Sequence, residues 1–144
     1  MKTRNLLFAG IIVYMLCSST CRKTNGCPEN SHPTVEIINN SNIAVNWMRD
    51  NNPSDTVWTV NGAFLEVSDR LVLPNSNNRL NAGLDYCWEY SYQNNYSNHF
   101  YFFNHDTVQA LGWQGISGTN RGQLKRIKVD LNYLQANNFT ITYP

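Results

Sequence analysis

Aromatic and amide side chains are concentrated in one third of this chain. The aromatic members include Trp88, Tyr90, Tyr92, Tyr96, Phe100, Tyr101 and Trp113, and the amides between them include Gln93, Asn94, Asn95 and Asn98. Flat rings bury a large area at little entropic cost and amides hydrogen-bond hydroxyl groups, so this composition suits the binding of sugar rings. We expect Tyr92, Tyr96 and Trp113 to be the exposed, ligand-binding members because they border loops. The simpler interpretation is that the rings fill the core.

The histidines, serines and carboxylates match no pattern of a metal site or a catalytic site. His99 and His105 lie six residues apart, His32 is distant, and structural metal sites usually carry closer ligand pairs. No serine stands in the Gly-x-Ser-x-Gly turn of hydrolases. Carboxylates for glycoside cleavage would have to meet in space, and the candidates are more simply solvent-facing: Glu66, Asp69, Asp85 and Glu89. We therefore expect no enzyme activity, no metal and no cofactor.

The elements that must position these residues are predicted to be mainly short strands. Residues 34–39 and 43–48 are β-branched runs on either side of an asparagine-rich turn, which predicts a hairpin. Ile43, Val45 and Trp47 would then share one face of it. A second hairpin is predicted over residues 56–67, around the Asn-Gly turn at positions 61 and 62.

The aromatic segment itself is predicted to be extended. Residues 79–83 and 85–92 are expected to form strands, and Trp88, Tyr90 and Tyr92 would share one face because side chains alternate along a strand. Cys87 would then point to the opposite face. The run at positions 99–103 is too densely aromatic to alternate, which favours a central strand that is covered on both faces.

The remaining chain predicts two short helical segments and two strands. Asp106 can cap a helical turn that ends at Gly112, and Asp130 can cap a short helix through residue 137. The strands are residues 123–129 and 139–143. Seven or eight short strands with one or two short helices predict a mainly β protein, a single small β-sandwich over residues 33–144 that is immunoglobulin-like or an open barrel.

The amino end has the features of a secretory signal. Lys2 and Arg4 precede an apolar run at residues 6–16, which is shorter than a membrane-spanning helix requires. The usual small-x-small cleavage pattern is missing, so a lipoprotein signal is the alternative, in which a cysteine becomes the lipidated first residue. Cys21 follows small polar residues and Cys17 follows bulky ones. We expect a signal peptide at residues 1–20, lipid on Cys21 and a tether at residues 21–32.

Processing at Cys21 leaves two other cysteines in the mature chain, Cys27 and Cys87. An even remainder in an oxidising compartment suggests one disulfide, and two buried free thiols are the alternative. The bridge would close a loop of about 60 residues. Net charge points to no partner, because 11 Lys and Arg face 10 Asp and Glu and leave +1. That balance argues against nucleic-acid binding.

Several motifs along the chain carry a resemblance. They are Cys27-Pro28-Glu29, Ser31-His32, Asn39-Asn40-Ser41, Cys87-Trp88-Glu89, and an ending in which Leu124-Lys125-Arg126 and a short helix lead to Asn138-Phe139-Thr140-Ile141-Thr142-Tyr143-Pro144. Together they resemble a family of short lipoproteins from Bacteroidota. The resemblance covers roughly residues 27–144. It implies an envelope lipoprotein in which Cys27 and Cys87 are paired, on the periplasmic face of the outer membrane or alternatively at the cell surface. It implies no reaction and no ligand.

Two functional hypotheses follow. The first is a non-enzymatic cell-envelope lipoprotein, tethered to the membrane by its lipid, whose domain has a structural or protein-interaction role. An exposed apolar patch would support it. The second is a module that binds a glycan or another small ligand through the surface from Tyr92 to Trp113, and a concave aromatic groove with convergent amides would support it. A hydrolase would instead require a pocket with clustered titratable groups.

Overall fold

The computed structural model describes residues 30–50, 67–82 and 87–144. Within them, the strands are β1 (Thr34–Asn39), β2 (Val45–Asp50), β3 (Leu71–Val72), β4 (Ser76–Asn81), β5 (Ser97–Asn104), β6 (Gln123–Asp130) and β7 (Thr140–Tyr143). The helices are α1 (Trp88–Ser91), α2 (His105–Ile116) and α3 (Leu131–Ala136), and a 3-10 turn spans Val67–Arg70. One sheet has the strand order β4-β1-β7 and the other β3-β2-β5-β6. The prediction of a small, mainly β sandwich with a few short helices is confirmed.

The main core lies where side chains of both sheets pack together. Strand β1 buries every second residue, including Val35 and Ile37, and β7 adds Ile141. From the other sheet, Trp47 and Phe102 enter the same cluster. Burial of such apolar surface is the main favourable contribution to folding, so each sheet depends on the other for its stability.

Strand β5 is an interior strand that is buried on both faces, as its aromatic run predicts. Phe100 and Phe102 point into the main core, whereas Tyr101 and Phe103 join a second cluster on the opposite face. Helix α2 covers that second face and contributes Trp113 to it. The four-stranded sheet therefore lies between a sheet on one side and a helix on the other.

The predicted hairpin of residues 34–48 is wrong, although both of its runs are strands. β1 and β2 belong to different sheets, and Asn39 shows why. Its buried side chain donates hydrogen bonds to Ile43 O at 2.7 Å and to Leu73 O at 3.1 Å, which ties the connection to the segment before β4. Val45 and Trp47 do share the main core, whereas Ile43 precedes β2 and is exposed.

The predicted strand over residues 85–92 is also wrong, because Trp88–Ser91 is a single helical turn. Residues four apart share a helix face and also share a strand face, so buried Trp88 and Tyr92 fit both structures. Tyr90 distinguishes them, because it is 43% exposed. The predicted second hairpin, residues 56–67, lies outside the described residues except for Val67, which begins the 3-10 turn.

The two predicted caps have different outcomes. Asp130 caps α3, and its side chain accepts the Tyr133 N–H at 2.8 Å, as predicted. Helix α2 is instead capped by Asn104, which accepts the Thr107 N–H, and Asp106 lies in its first turn. Gly112 is non-helical, with a φ of 63°, so the first helical stretch of α2 ends at the glycine as predicted, and a further turn follows to Ile116.

Candidate functional site

The three residues that the sequence predicts to bind a ligand do not form one surface. Tyr92 is 2% exposed and Trp113 is 5% exposed, and they belong to the two different core clusters. Only Tyr96 reaches solvent, with 38% of its surface exposed. The expectation that Tyr92 and Trp113 border the surface is therefore wrong.

The position of Tyr92 in the chain explains its burial. It follows α1 directly and packs against Trp88, with the ring centroids 5.6 Å apart. Its hydroxyl accepts a hydrogen bond from Asn98 Nδ2 at 2.8 Å, which satisfies the phenol inside the core. Burial raises the pKa of Tyr92 to about 12, and the hydrogen bond from Asn98 opposes that shift only in part.

Trp113 is buried because α2 bends before it. Gly112 adopts a φ of 63° and a ψ of 169°, a combination that is essentially restricted to glycine. The bend places Trp113 against the aromatic face of β5, where its ring meets Phe103 edge-on at a centroid distance of 6.0 Å. A glycine followed by an aromatic residue was the only sequence signal for this arrangement.

The exposed aromatic residues of this region are Tyr90, which lies in α1, and Tyr96, which lies at the end of the tight turn that follows. Asn94 and Asn95 each have a φ of 60°, a conformation that asparagine tolerates better than most residues. The Tyr96 N–H donates to Gln93 O at 3.2 Å, which closes the turn. We call residues 90–96 the tyrosine–amide turn.

Two open depressions meet at the tyrosine–amide turn. The first, which we call the Tyr90 depression, has a volume of about 400 Å³ and is lined by Tyr90, Ser91, Gln93, Asn94 and Tyr96. The second, the Lys128 depression, has a volume of about 330 Å³ and adds residues of β6 and α3, among them Lys128, Asp130 and Asn132. Gln93, Asn94 and Tyr96 line both. Both volumes are at the low end of the range of small-ligand sites.

A series of rings connects the exposed Tyr96 to the core. Tyr96 meets Tyr92 edge-on at 5.9 Å, Tyr92 packs on Trp88, and the Arg49 guanidinium lies 5.4 Å from the Trp88 ring centroid. The buried Tyr92 ring thus supports the Tyr96 ring through this contact. A side chain that is already ordered loses little entropy when a ligand packs against it.

The charges around the turn balance each other. Lys128 is exposed on β6, and Asp130 is partly exposed at the end of the same strand. The Asp130 carboxylate already accepts the Tyr133 N–H, so part of its hydrogen-bonding capacity serves helix α3. The residues that the structure describes in the lining of the Tyr90 depression include no Lys, Arg, Asp or Glu.

Sequence reasoning missed a polar contact beside this site. Glu89, expected to be solvent-facing, accepts hydrogen bonds from the His32 N–H at 3.0 and 3.1 Å, and His32 Nδ1 lies 2.6 Å from it. The imidazole of His32 also stacks on Phe139, with centroids 3.6 Å apart. His32 and Glu89 are 57 positions apart, so a single sequence gives no indication of their contact. The contact joins the start of the domain to α1.

The histidines are placed far from a common site. His105 Nδ1 lies 2.8 Å from Asn46 Oδ1, and the guanidinium of Arg126 lies 3.0 Å from His99 Nε2. Among the described residues, no group of three or more His, Cys, Asp or Glu side chains could hold a metal ion. None of the helices within the described ranges is long and apolar enough to cross a membrane.

Cys87 is 1% exposed. The other cysteines, including Cys21 and Cys27, lie outside the described residues, so lipid on Cys21 and the pairing of Cys27 with Cys87 stay predictions. No protein-family model matches the chain, and no curated protein or solved structure matches it either. The resemblance to Bacteroidota lipoproteins thus also stays a prediction.

Proposed function

We propose that the protein is a non-enzymatic lipoprotein of the cell envelope that works as an interaction module, and that the tyrosine–amide turn is its binding surface. The observation that carries this proposal is the pair of open depressions that meet at Tyr96, an exposed ring supported by a buried one. Concave surfaces with a few convergent polar groups are the usual form of binding sites.

The composition of the turn favours a saccharide over a protein partner. Tyr90 and Tyr96 offer flat faces for stacking, and Gln93 and Asn94 between them carry both donors and acceptors for hydroxyl groups. A protein interface would be favoured by a continuous apolar surface, whereas the residues between these two tyrosines are polar. A glycan is therefore the ligand class that the site fits best.

The ionisable groups of the site support binding rather than catalysis. General acid–base chemistry needs a titratable group held within reach of the substrate. Of the charged lining residues, Asp130 is engaged in capping α3, and Lys128 is exposed. A carboxylate used in this way serves the structure of the site, and Asp130 is the one carboxylate among the described residues of this lining.

The location that we propose is the outer membrane, facing the periplasm, with display at the cell surface as the alternative. Lipid on Cys21 would hold the chain to the membrane, and Cys27 would pair with Cys87. Glu89 supports this arrangement, because its contact with His32 brings the end of the tether to α1. Cys87, Glu89 and Tyr90 are almost consecutive, so the anchor and the binding surface would converge on one helical turn.

Affinity electrophoresis tests the binding role. The full chain should be retarded in gels that contain soluble glucan, mannan or glycol chitin, and Tyr96→Ala should reduce the retardation. Leu124→Ala is the matched control, because Leu124 is comparably exposed at 41% and is not part of the turn. Equal migration of the wild type in every gel, with and without polysaccharide, would contradict the proposal.

Intact mass tests the anchor. Protein extracted from membranes should begin at a lipidated Cys21 and should take up alkylating agent only after reduction. An unlipidated start would contradict the lipoprotein assignment. Two thiols that react without reduction would contradict the disulfide.

A further inference from the structure

The depressions on the two sides of the tyrosine–amide turn form one continuous surface. They share Gln93, Asn94 and Tyr96, and each also has residues of its own, Tyr90 in the first and Lys128 in the second. Tyr96 therefore lies between the Tyr90 depression and the Lys128 depression and does not close a pocket. A ligand that enters one half can continue over Tyr96 into the other.

We propose that this surface binds an internal stretch of a linear, uncharged polysaccharide, which crosses Tyr96 and fills both depressions. The inference rests on the proposed function and adds the substrate class and the mode of binding. A site for a chain end would enclose the terminal sugar, whereas these depressions are open and meet in the middle of the surface.

Tyr96 is the side chain on which both halves depend. Its ring lines both depressions, and its contact with Tyr92 holds it in place. The turn beneath it is fixed by the hydrogen bond from Tyr96 N–H to Gln93 O and by the conformations of Asn94 and Asn95. A sugar ring stacked on Tyr96 would meet an ordered surface, and its neighbours on either side would reach the amides of the turn.

The charge pattern indicates an uncharged chain. Among the described residues, the lining of the Tyr90 depression has no Lys, Arg, Asp or Glu, and that of the Lys128 depression has one lysine and one aspartate. An acidic polymer would leave its charges uncompensated along the Tyr90 half, where desolvating them is unfavourable. Binding should therefore depend little on salt, since salt screens charge pairs but not stacking.

A length series tests the inference. Calorimetric titration of the full chain would use neutral oligosaccharides, from disaccharide to octasaccharide, prepared from glucan, mannan and chitin. We expect affinity to rise with length until both depressions are filled and then to level off. Affinity should change less than about twofold between about 0.05 M and about 0.5 M salt.

Two variants test how Tyr96 and Tyr90 contribute to binding in the two depressions. Tyr96→Ala should weaken binding about tenfold at every length, because the lost stacking affects both halves. Tyr90→Ala should lower only the affinity for long chains and so flatten the length dependence. Tyr96→Leu keeps an apolar contact for Tyr92, so it separates the loss of the aromatic ring from a loss of folding. The control variant Leu124→Ala should bind like the wild type.

The outcomes separate this inference from the proposed function. Binding that is equally strong for the shortest and the longest oligosaccharides overturns the inference and leaves the proposed function intact. Length-dependent binding that Tyr90→Ala and Tyr96→Ala do not change overturns the assignment to this surface. No binding at any length overturns both.

Discussion

Tyr92 illustrates how one buried hydroxyl links the core to the surface. Its ring packs between Trp88 and Tyr96, and its hydroxyl accepts from Asn98. Burial raises its pKa from 10.0 to about 12. Between these two values the unfolded chain has released the proton and the folded chain has kept it, so stability falls as the pH rises.

Replacing Tyr92 with phenylalanine should therefore change the alkaline stability profile. At about pH 8 the variant should lose about 1 kcal/mol, because the hydrogen bond to Asn98 is gone. At about pH 11 the wild type should have lost about 1 kcal/mol from this group, one pH unit above its unfolded pKa, and the variant should not. Urea unfolding at about pH 8 and about pH 11 measures both effects. Parallel profiles of stability against pH in the two proteins would contradict the assignment of the alkaline loss to Tyr92. The pKa of Tyr133 is also raised by burial, so a residual slope should remain in both proteins.

Glu89 carries a second prediction at the residue scale. Its carboxylate holds the His32 backbone N–H, and the Trp88 N–H in turn donates to His32 O at 3.0 Å. Glu89→Ala should lower stability by about 1 kcal/mol, a value reduced because the His32 side chain is about half exposed. It should also speed hydrogen exchange at the Trp88 amide. Glu36→Ala, which removes an exposed bond to Asn77, should leave the Trp88 amide unchanged. Unaltered exchange in Glu89→Ala would show that the contact does not hold α1.

At the scale of elements, Gly112 determines how helix α2 meets the sheet. An added Cβ would find nothing within 4 Å, so a substitution there meets no steric obstacle and acts through backbone conformation alone. Gly112→Ala should lower the free energy of unfolding by about 1–3 kcal/mol, because alanine rarely adopts this φ and ψ. Urea unfolding measures the loss. Gln109→Ala, at an exposed position of the same helix, is the control, and equal stability of the two variants would contradict the role of Gly112.

The same scale shows which elements a single sequence can predict. Strands β5 and β7 and helix α3 were predicted because local signals agree there, namely dense aromatic residues, a terminal alternating run and an Asp cap. The hairpin failed because Asn39 also binds the backbone carbonyls of Val72 and Leu73, a tertiary contact without a local signal. For the candidate site, the sequence predicted the aromatic and amide composition and the exposure of Tyr96. It predicted Tyr92 to be exposed where Tyr90 is, because Trp88 and Tyr92 share a face in both a strand and a helix.

For the whole molecule, the proposed anchor and the proposed binding surface meet at α1. If Cys27 pairs with Cys87, the chain between the lipidated Cys21 and the bridge can span at most about 20 Å. Tyr90, only three residues after Cys87, would then be held near the membrane. A polysaccharide that the turn binds would be one that approaches the membrane surface closely, and the tether would restrict the module to that layer.

The proposed bridge would stabilise the fold as well as position the module, and a double variant together with reduction of the wild type tests its contribution to stability. Replacing Cys27 and Cys87 together with serine should lower the free energy of unfolding by about 4 kcal/mol, since the closed loop spans about 60 residues. Reduction of the wild type should produce the same loss in thermal unfolding, and reduction of the double variant should produce none. Because Tyr92 and the amide turn are held by contacts of their own, the folded double variant should still bind oligosaccharides like the wild type. Equal stability of the oxidised and reduced wild type would rule out the bridge, and a folded double variant without saccharide binding would mean that the disulfide shapes the site itself.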